Sequence, residues 1–342
     1  MAPLCLLSFL YGRAASARVG FYRRGRWKIH SLPCQVVSVG NITLGGTGKT
    51  PMVILLAGML GERGRRVAVL SRGYGGRFAG SCGLVSDGSR LWMDAFQAGD
   101  EPRLLAERLP GVPVIVGRER WLSGKLAVER FGAEVVLLDD GFQHLSLKRD
   151  LDLVLLDSAF LLGNGWVFPR GVLRERTGEL CRADAFILTK AGRSDNNLRK
   201  NQPWPSGKPI FRTDYQADKI RVRGEEAGLR PQALRGRRIL AFAGLAQPDS
   251  FFRLLSELGA QVVEAVIFPD HHRYTPRDMA ALQRRAGRQK AEALVTTEKD
   301  LVRLGERRSE SPSVWALAVR HVFPEDDRRR FEDFLFSRLG RG

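Results

Sequence analysis

Gln35-Val-Val-Ser-Val-Gly-Asn-Ile-Thr-Leu-Gly-Gly-Thr-Gly-Lys-Thr-Pro51 reads as a buried strand that runs into a glycine-rich turn ending in Gly-Lys-Thr, followed by an apolar helical run to Leu60. Such a turn is a phosphate cradle. Glycines at 45, 46 and 48 let successive backbone N–H groups converge on an anion at a helix N-terminus. Lys49 can reach the β- and γ-phosphates, and the Thr50 hydroxyl can bind Mg²⁺. The candidate nucleotide-binding residues are therefore Thr43, Leu44, Gly45, Gly46, Thr47, Gly48, Lys49 and Thr50. The strict pattern wants glycine at Thr43, but strand, glycines, Gly-Lys-Thr and helix follow in the required order.

A phosphate cradle of this kind needs acidic groups for the metal. Glu134-Val-Val-Leu-Leu-Asp-Asp-Gly-Phe-Gln-His144 supplies them, because four apolar residues make a strand buried on both faces and place Asp139 and Asp140 at its carboxyl end. In an open α/β sheet ligands bind at that edge, so both carboxylates are expected to face the same crevice as Lys49. The two elements together point to a nucleoside triphosphate with Mg²⁺.

Strand patterns near 35–40, 67–71, 113–116, 135–139, 152–157 and 185–189, with helical patterns between several of them, predict an α/β fold: a P-loop NTPase-like, doubly wound, mainly parallel sheet. A second α/β run begins at Arg238 and includes a helix opened by Thr275-Pro-Arg-Asp. The expected organisation is a basic N-terminal segment (1–30), a P-loop domain (31–205), an extended connector (206–236) and a smaller α/β domain (237–342).

The chain has 342 residues, is 44% hydrophobic and carries 55 Lys and Arg against 37 Asp and Glu, a formal charge of +18. No acidic residue precedes Glu62, whereas Arg13, Arg18, Arg23, Arg24, Arg26 and Lys28 follow the apolar run Leu4 to Tyr11. That order suits a segment lying on an anionic membrane surface, and it is too short to span one. A secretory signal would put its charge before the apolar run. A helix docked on the protein body with a solvated basic face is the competing reading. The basicity also admits a nucleic-acid binder, but no recognised motif accompanies it, so no nucleic acid is expected. Four cysteines without metal-type spacing fit a reducing compartment.

Two turns bear on the chemistry. Ala98-Gly-Asp-Glu-Pro102 presents two carboxylates, and phosphoryl transfer to a hydroxyl wants one to accept the proton; the same residues also make an ordinary helix entry. Phe268-Pro-Asp-His-His-Arg-Tyr274 follows a strand and precedes a capped helix, which favours orientation of a catalytic group or a polar loop over metal binding.

Ser38 to Pro51, Ser71-Arg-Gly-Tyr-Gly-Gly76, Gly99-Asp-Glu-Pro102, Asp139-Asp-Gly-Phe-Gln-His144, Pro169-Arg-Gly-Val-Leu-Arg-Glu175 and Asp270-His-His-Arg-Tyr274 resemble, in order, the motifs of the tetraacyldisaccharide 4′-kinase family, the lipid A 4′-kinases of Gram-negative bacteria. The resemblance runs from about residue 10 to about 305. It implies an enzyme peripheral to the cytoplasmic face of the inner membrane that moves the γ-phosphate of ATP, with Mg²⁺, to the 4′-hydroxyl of a membrane-embedded anionic glycolipid. No obligate protein partner is implied. By the same resemblance Lys49 and its loop hold ATP, Thr50 with Asp139 or Asp140 organises Mg²⁺, Asp100 is the general base and His271 its partner. Arg72, Tyr74, Gln143, His144, Arg174 and Glu175 lie in matching motifs and are candidates for the substrate side. Where the family commonly reads Pro-Ala-Gly-Pro, this chain has Arg170 and Val172. A P-loop switch or ATPase of the partition-ATPase or metal-chaperone type is the alternative, although its signature lysine before the paired glycines is here Leu44.

Overall fold

The computed structural model describes residues 2–192, 204–225, 227–305 and 311–340. An N-terminal helix, α1 (Ala2–Arg23), precedes β1 (Gln35–Gly40), α2 (Lys49–Glu62), β2 (Val67–Ser71), β3 (Cys82–Ser86), α3 (Ala95–Ala98), α4 (Asp100–Arg108), β4 (Val114–Gly117), α5 (Arg120–Phe131), β5 (Val135–Asp139), β6 (Leu151–Asp157), β7 (Ala185–Thr189) and β8 (Ile210–Arg212). The remainder is β9 (Asp214–Val222), β10 (Arg238–Ala243), α6 (Asp249–Glu257), β11 (Gln261–Ile267), α7 (Pro276–Arg288), β12 (Ala293–Thr297), α8 (Glu298–Leu304), β13 (Val314–Val322) and α9 (Glu325–Leu339).

The strands form an eight-stranded sheet in the order β3-β4-β2-β5-β1-β6-β7-β8 and a five-stranded sheet in the order β11-β10-β12-β13-β9. Each is parallel except at one edge, where β3 runs against β4 and β9 against β13. The expected doubly wound, mainly parallel α/β sheet is therefore present. Strands β2, β5 and β6 are buried throughout, as their continuous apolar runs require of strands covered on both faces.

One face of the large sheet packs Met52, Leu56 and Leu60 of α2 with Leu105 of α4 and Phe331, Leu335 and Leu339 of α9. The C-terminal helix thus returns to the first sheet. The other face is covered by α5 under β2 and β5, and by the irregular segment 158–183 under β6 and β7, which buries Leu162, Val167, Leu173 and Leu180. The extended stretch at 206–236 takes the form of β8, which edges the large sheet, and β9, which edges the small one.

Candidate active site

Strand order brings the glycine-rich and acidic loops together. β1 and β5 are neighbours in parallel register, with Val39 opposite Asp139, so the 41–48 turn and the Asp139-Asp140 pair leave the same sheet edge side by side. They open into a cleft of about 1340 Å³ that is also lined by α1, β9 and the turns of the small sheet.

Lys49 opens α2 behind Gly48, whose φ is 84° and where a Cβ would lie 1.9 Å from the Tyr215 hydroxyl of β9. Only glycine fits there. The Gly48 carbonyl accepts a hydrogen bond from His321 Nε2 at 2.9 Å, while His321 Nδ1 lies 2.7 Å from the Thr213 hydroxyl. Burial pushes the His321 pKa down to about 4, so a neutral ring uses both nitrogens. Thr43 pairs as an extended residue with Leu173, and the Leu44 N–H donates to the Val172 carbonyl at 2.7 Å. These two residues anchor the turn, and the glycines beyond them form the cradle.

Lys49 Nζ lies 3.5 Å from Asp140 Oδ1, and Arg174 donates to Asp140 Oδ2 at 2.7 Å. Asp140 holds φ at 55°, a strained value for a residue with a Cβ, of the kind that clusters at functional sites. Asp139 is buried and receives the Ser71 hydroxyl at 3.5 Å, while its Oδ1 has no hydrogen-bond partner. Burial, then the charges of Glu101 and Asp140, push its pKa well above the usual carboxylate range. Burial acts on Asp140 in the same sense, but Lys49 and Arg174 outweigh it and hold the pKa down.

An orphaned, buried carboxylate oxygen whose charge is disfavoured by its surroundings fits a divalent cation, which would supply the missing counter-charge. Among the described residues no cluster of three or more His, Cys, Asp or Glu forms a protein cage for a metal. Mg²⁺ needs none, since it is held by one or two carboxylates, waters and substrate phosphates.

Asp100 sits in the first turn of α4 after Gly99, whose φ is 94° and where a Cβ would lie 2.5 Å from the Tyr74 carbonyl oxygen, so glycine is again required. Its Oδ2 accepts from Arg303 Nε at 2.9 Å and Nη2 at 2.5 Å, and lies 3.1 Å from His271 Nδ1. Burial raises the Asp100 pKa, but the His271 hydrogen bond and the Arg303 charge outweigh it and place the group well below the carboxylate range. His271, with φ at 58°, has its pKa raised chiefly by the bond to Asp100. Residues 171 apart in sequence thus form one pair. His272 turns away, stacks on Phe268 and pairs with Asp278, a capping residue of α7.

Beside this pair Lys299 Nζ reaches Glu101 at 2.5 Å. Arg108 of α4 bridges Glu298 at 2.9 Å and Asp218 at 2.7 Å, which locks α4 to α8 and β9. The fully buried Arg120 donates to the Gly117 carbonyl, leaves Nε without a partner, and has its pKa pushed down to about 10 by burial.

The remaining expected residues divide. Arg72, Tyr74, Gln143, His144 and Arg174 line the cleft. Tyr74 meets the His271 ring edge-on at 5.6 Å, and Gln143 is braced by Asn41 and Arg18. Burial and surrounding arginines push His144 down to about 3, so it is neutral. Glu175 does not join them; its buried carboxylate pairs with Arg182, which lies over the Phe142 ring. Arg120, Lys299, Arg303 and His321 belong to the site or its support without standing out in the sequence. The one local signal is Thr297-Glu-Lys-Asp300, a legible helix N-cap that places Lys299 and Arg303 on α8.

The model of the family described as tetraacyldisaccharide-1-P 4′-kinase, LpxK, matches residues 1–339. A tetraacyldisaccharide 4′-kinase of Desulfatibacillum aliphaticivorans is 42% identical over 99% of this chain and 92% of its own length. One from Syntrophus aciditrophicus is 45% identical over 89% of this chain and 85% of its own. The crystal structure of LpxK from Aquifex aeolicus in complex with ATP is 33% identical, covers 99% of both chains and superposes with a TM-score of 0.79. The cleft between a phosphate cradle and an acidic pair, and full-length similarity to these enzymes, lead to one conclusion: this chain belongs to the tetraacyldisaccharide 4′-kinase family.

Proposed function

We propose that the cleft holds ATP on the 45–50 loop and carries a glycolipid hydroxyl to Asp100, so that the two sheets supply the two halves of one phosphotransfer site. The chain is an ATP-dependent kinase of lipid A biosynthesis that phosphorylates the 4′-position of a tetraacyldisaccharide 1-phosphate. The observation that carries the residue assignment is the Asp100–His271 contact, made from opposite sheets beside the phosphate cradle.

Lys49 and the α2 N-terminus hold the β- and γ-phosphates, and the charge of Lys49 follows the phosphoryl group as it moves. Mg²⁺ would be held by Asp139, Asp140 and the Thr50 hydroxyl, and when bound it neutralises charge between the phosphates. Asp100 accepts the proton of the attacking hydroxyl. Its low pKa keeps it ionised at every working pH, at the expense of base strength, which suits a loose transition state in which the proton leaves late. His271 and Arg303 fix the carboxylate. Arg72, Arg120 and Arg174 give the cleft its cationic wall for an anionic acceptor, and Gln143 adds an uncharged amide beside them.

We assign residues 31–205 to the kinase domain and 237–342 to a second domain, with 206–236 as the connector that contributes a strand to each sheet. We also place the protein on the cytoplasmic face of the inner membrane through α1. Among the described residues no helix is long and apolar enough to cross a membrane. α1 instead exposes Leu4, Leu6, Leu7, Phe9 and Leu10 ahead of its arginines, the pattern of a helix lying in an anionic interface.

The test is acceptor dependence. ATP turnover should rise on addition of the disaccharide 1-phosphate and fall to background in Asp100→Asn; turnover indifferent to both would favour the switch ATPase.

A further inference from the structure

The segment 158–175 is an irregular loop with a core of its own. Leu162, Val167 and Leu173 are buried against β6 and β7, yet the residues between them point outward: Phe160 is 57%, Trp166 42% and Phe168 49% exposed, and Val172 and Arg170 are also exposed. A loop that has filled its core does not need three outward aromatics for stability.

The loop is held rigid and continuous with α1. Asn164 accepts from the Trp166 N–H and donates to the Arg170 carbonyl, bracing the tip. The Ser8 hydroxyl of α1 donates to the Val167 carbonyl at 2.7 Å, and Tyr11 meets Phe168 edge-on at 6.1 Å. The exposed aromatics therefore extend the apolar strip of α1. The Arg170 guanidinium lies 3.5 Å over the Trp166 ring, a cation and an amphipathic ring set together. That pairing belongs at the boundary between anionic headgroups and acyl chains.

The loop tip is tied to the phosphate cradle. Besides the Leu44 to Val172 bond, the Arg174 N–H donates to the Ile42 carbonyl at 2.7 Å. A surface on which Phe160, Trp166 and Phe168 rest is thereby held at a fixed offset from the cradle.

We propose that the 160–172 loop is a second membrane-contact element that inserts Phe160, Trp166 and Phe168 into an anionic lipid surface beside α1 and sets the depth at which the cleft meets its acyl-bearing substrate. The inference rests on the peripheral-membrane reading of α1. A lipid surface is favoured over a second copy of the chain because the patch and its continuation on α1 carry arginines and no carboxylate within the loop tip, which would repel an identical basic face. Arg170 and Val172 add a cation and an apolar group at the tip.

The test uses the full-length protein and vesicles of phosphatidylethanolamine and phosphatidylglycerol, with three comparisons: wild type, the triple variant Phe160→Ser, Trp166→Ser, Phe168→Ser, and a deletion of residues 1–28. The triple variant should partition onto vesicles about tenfold more weakly than wild type, with ATP affinity unchanged. Brominated acyl chains should quench wild-type tryptophan emission more than that of Trp166→Phe. If the deletion weakens binding and the triple variant does not, the loop inference is overturned and the α1 reading stands. If neither weakens it, both fail. A triple variant that binds vesicles normally but loses self-association would assign the patch to a second copy and also overturn the inference.

Discussion

Asp100→Asn separates the chemistry of the proposed base from its structural role. The amide keeps the shape of the carboxylate and can still accept from Arg303 and His271, which contact a single oxygen, Oδ2. It cannot take a proton. Loss of a general base costs about 10²–10⁴ in kcat, equivalent to roughly 2.7–5.4 kcal/mol of barrier at 1.36 kcal/mol per tenfold. Stability should fall less. Removing one partner of a buried ion pair costs about 3–5 kcal/mol when the other is stranded. Arg303 is not stranded, because Asp300 at 2.9 Å and the Gly244 carbonyl remain, so a loss of about 1–2 kcal/mol is expected. Single-turnover phosphoryl transfer, ATP binding and thermal unfolding measured on the same preparation separate the two effects. Because paired groups act as a unit, His271→Ala added to Asp100→Asn should cost much less than His271→Ala alone. A kcat close to wild type in Asp100→Asn would refute the base assignment, and fully additive losses would return His271 to the status of a loop residue.

Lys49→Ala should abolish transfer without unfolding the chain, since it removes the charge facing the phosphates; near-normal activity would contradict the cradle assignment. His321→Leu should weaken ATP binding about tenfold, by removing the bond to the Gly48 carbonyl and leaving the Thr213 hydroxyl unpaired; calorimetric titration with a nonhydrolysable ATP analogue reads this directly. For pH, the His271 pKa is raised in the folded state, so its contribution to stability is complete below the unfolded value and is lost as pH rises through the folded one. The side chain is 39% exposed, so screening limits the effect to about 0.5 kcal/mol, seen as a melting difference between wild type and His271→Asn that narrows from pH 6 to pH 8.5.

The phosphate cradle, the acidic pair and most central strands were legible because each is local. A run such as Val135 to Leu138 is buried on both faces and reads as strand without reference to anything else. The edges were not. β9 alternates exposed and half-buried polar residues, and β3 is a short strand containing glycine, so neither carries the apolar run that marks a central strand. Arg303 was invisible for a different reason: in so basic a chain it is one arginine among many, and only the packing of α8 against α4 brings it to Asp100. His321 lies near the end of a mostly apolar strand, where a buried histidine reads as core until its Gly48 partner is seen. Glu175 shows the converse, a motif residue whose partner is Arg182 and not the cleft.

The central claim is tested most directly by mass spectrometry of the glycolipid after incubation of the purified protein with ATP, Mg²⁺ and tetraacyldisaccharide 1-phosphate. The account predicts a product carrying one additional phosphate, fragmenting to place it on the 4′-oxygen, with one ADP formed per product. ADP release at the same rate with and without the disaccharide, and no phosphorylated glycolipid, would contradict it.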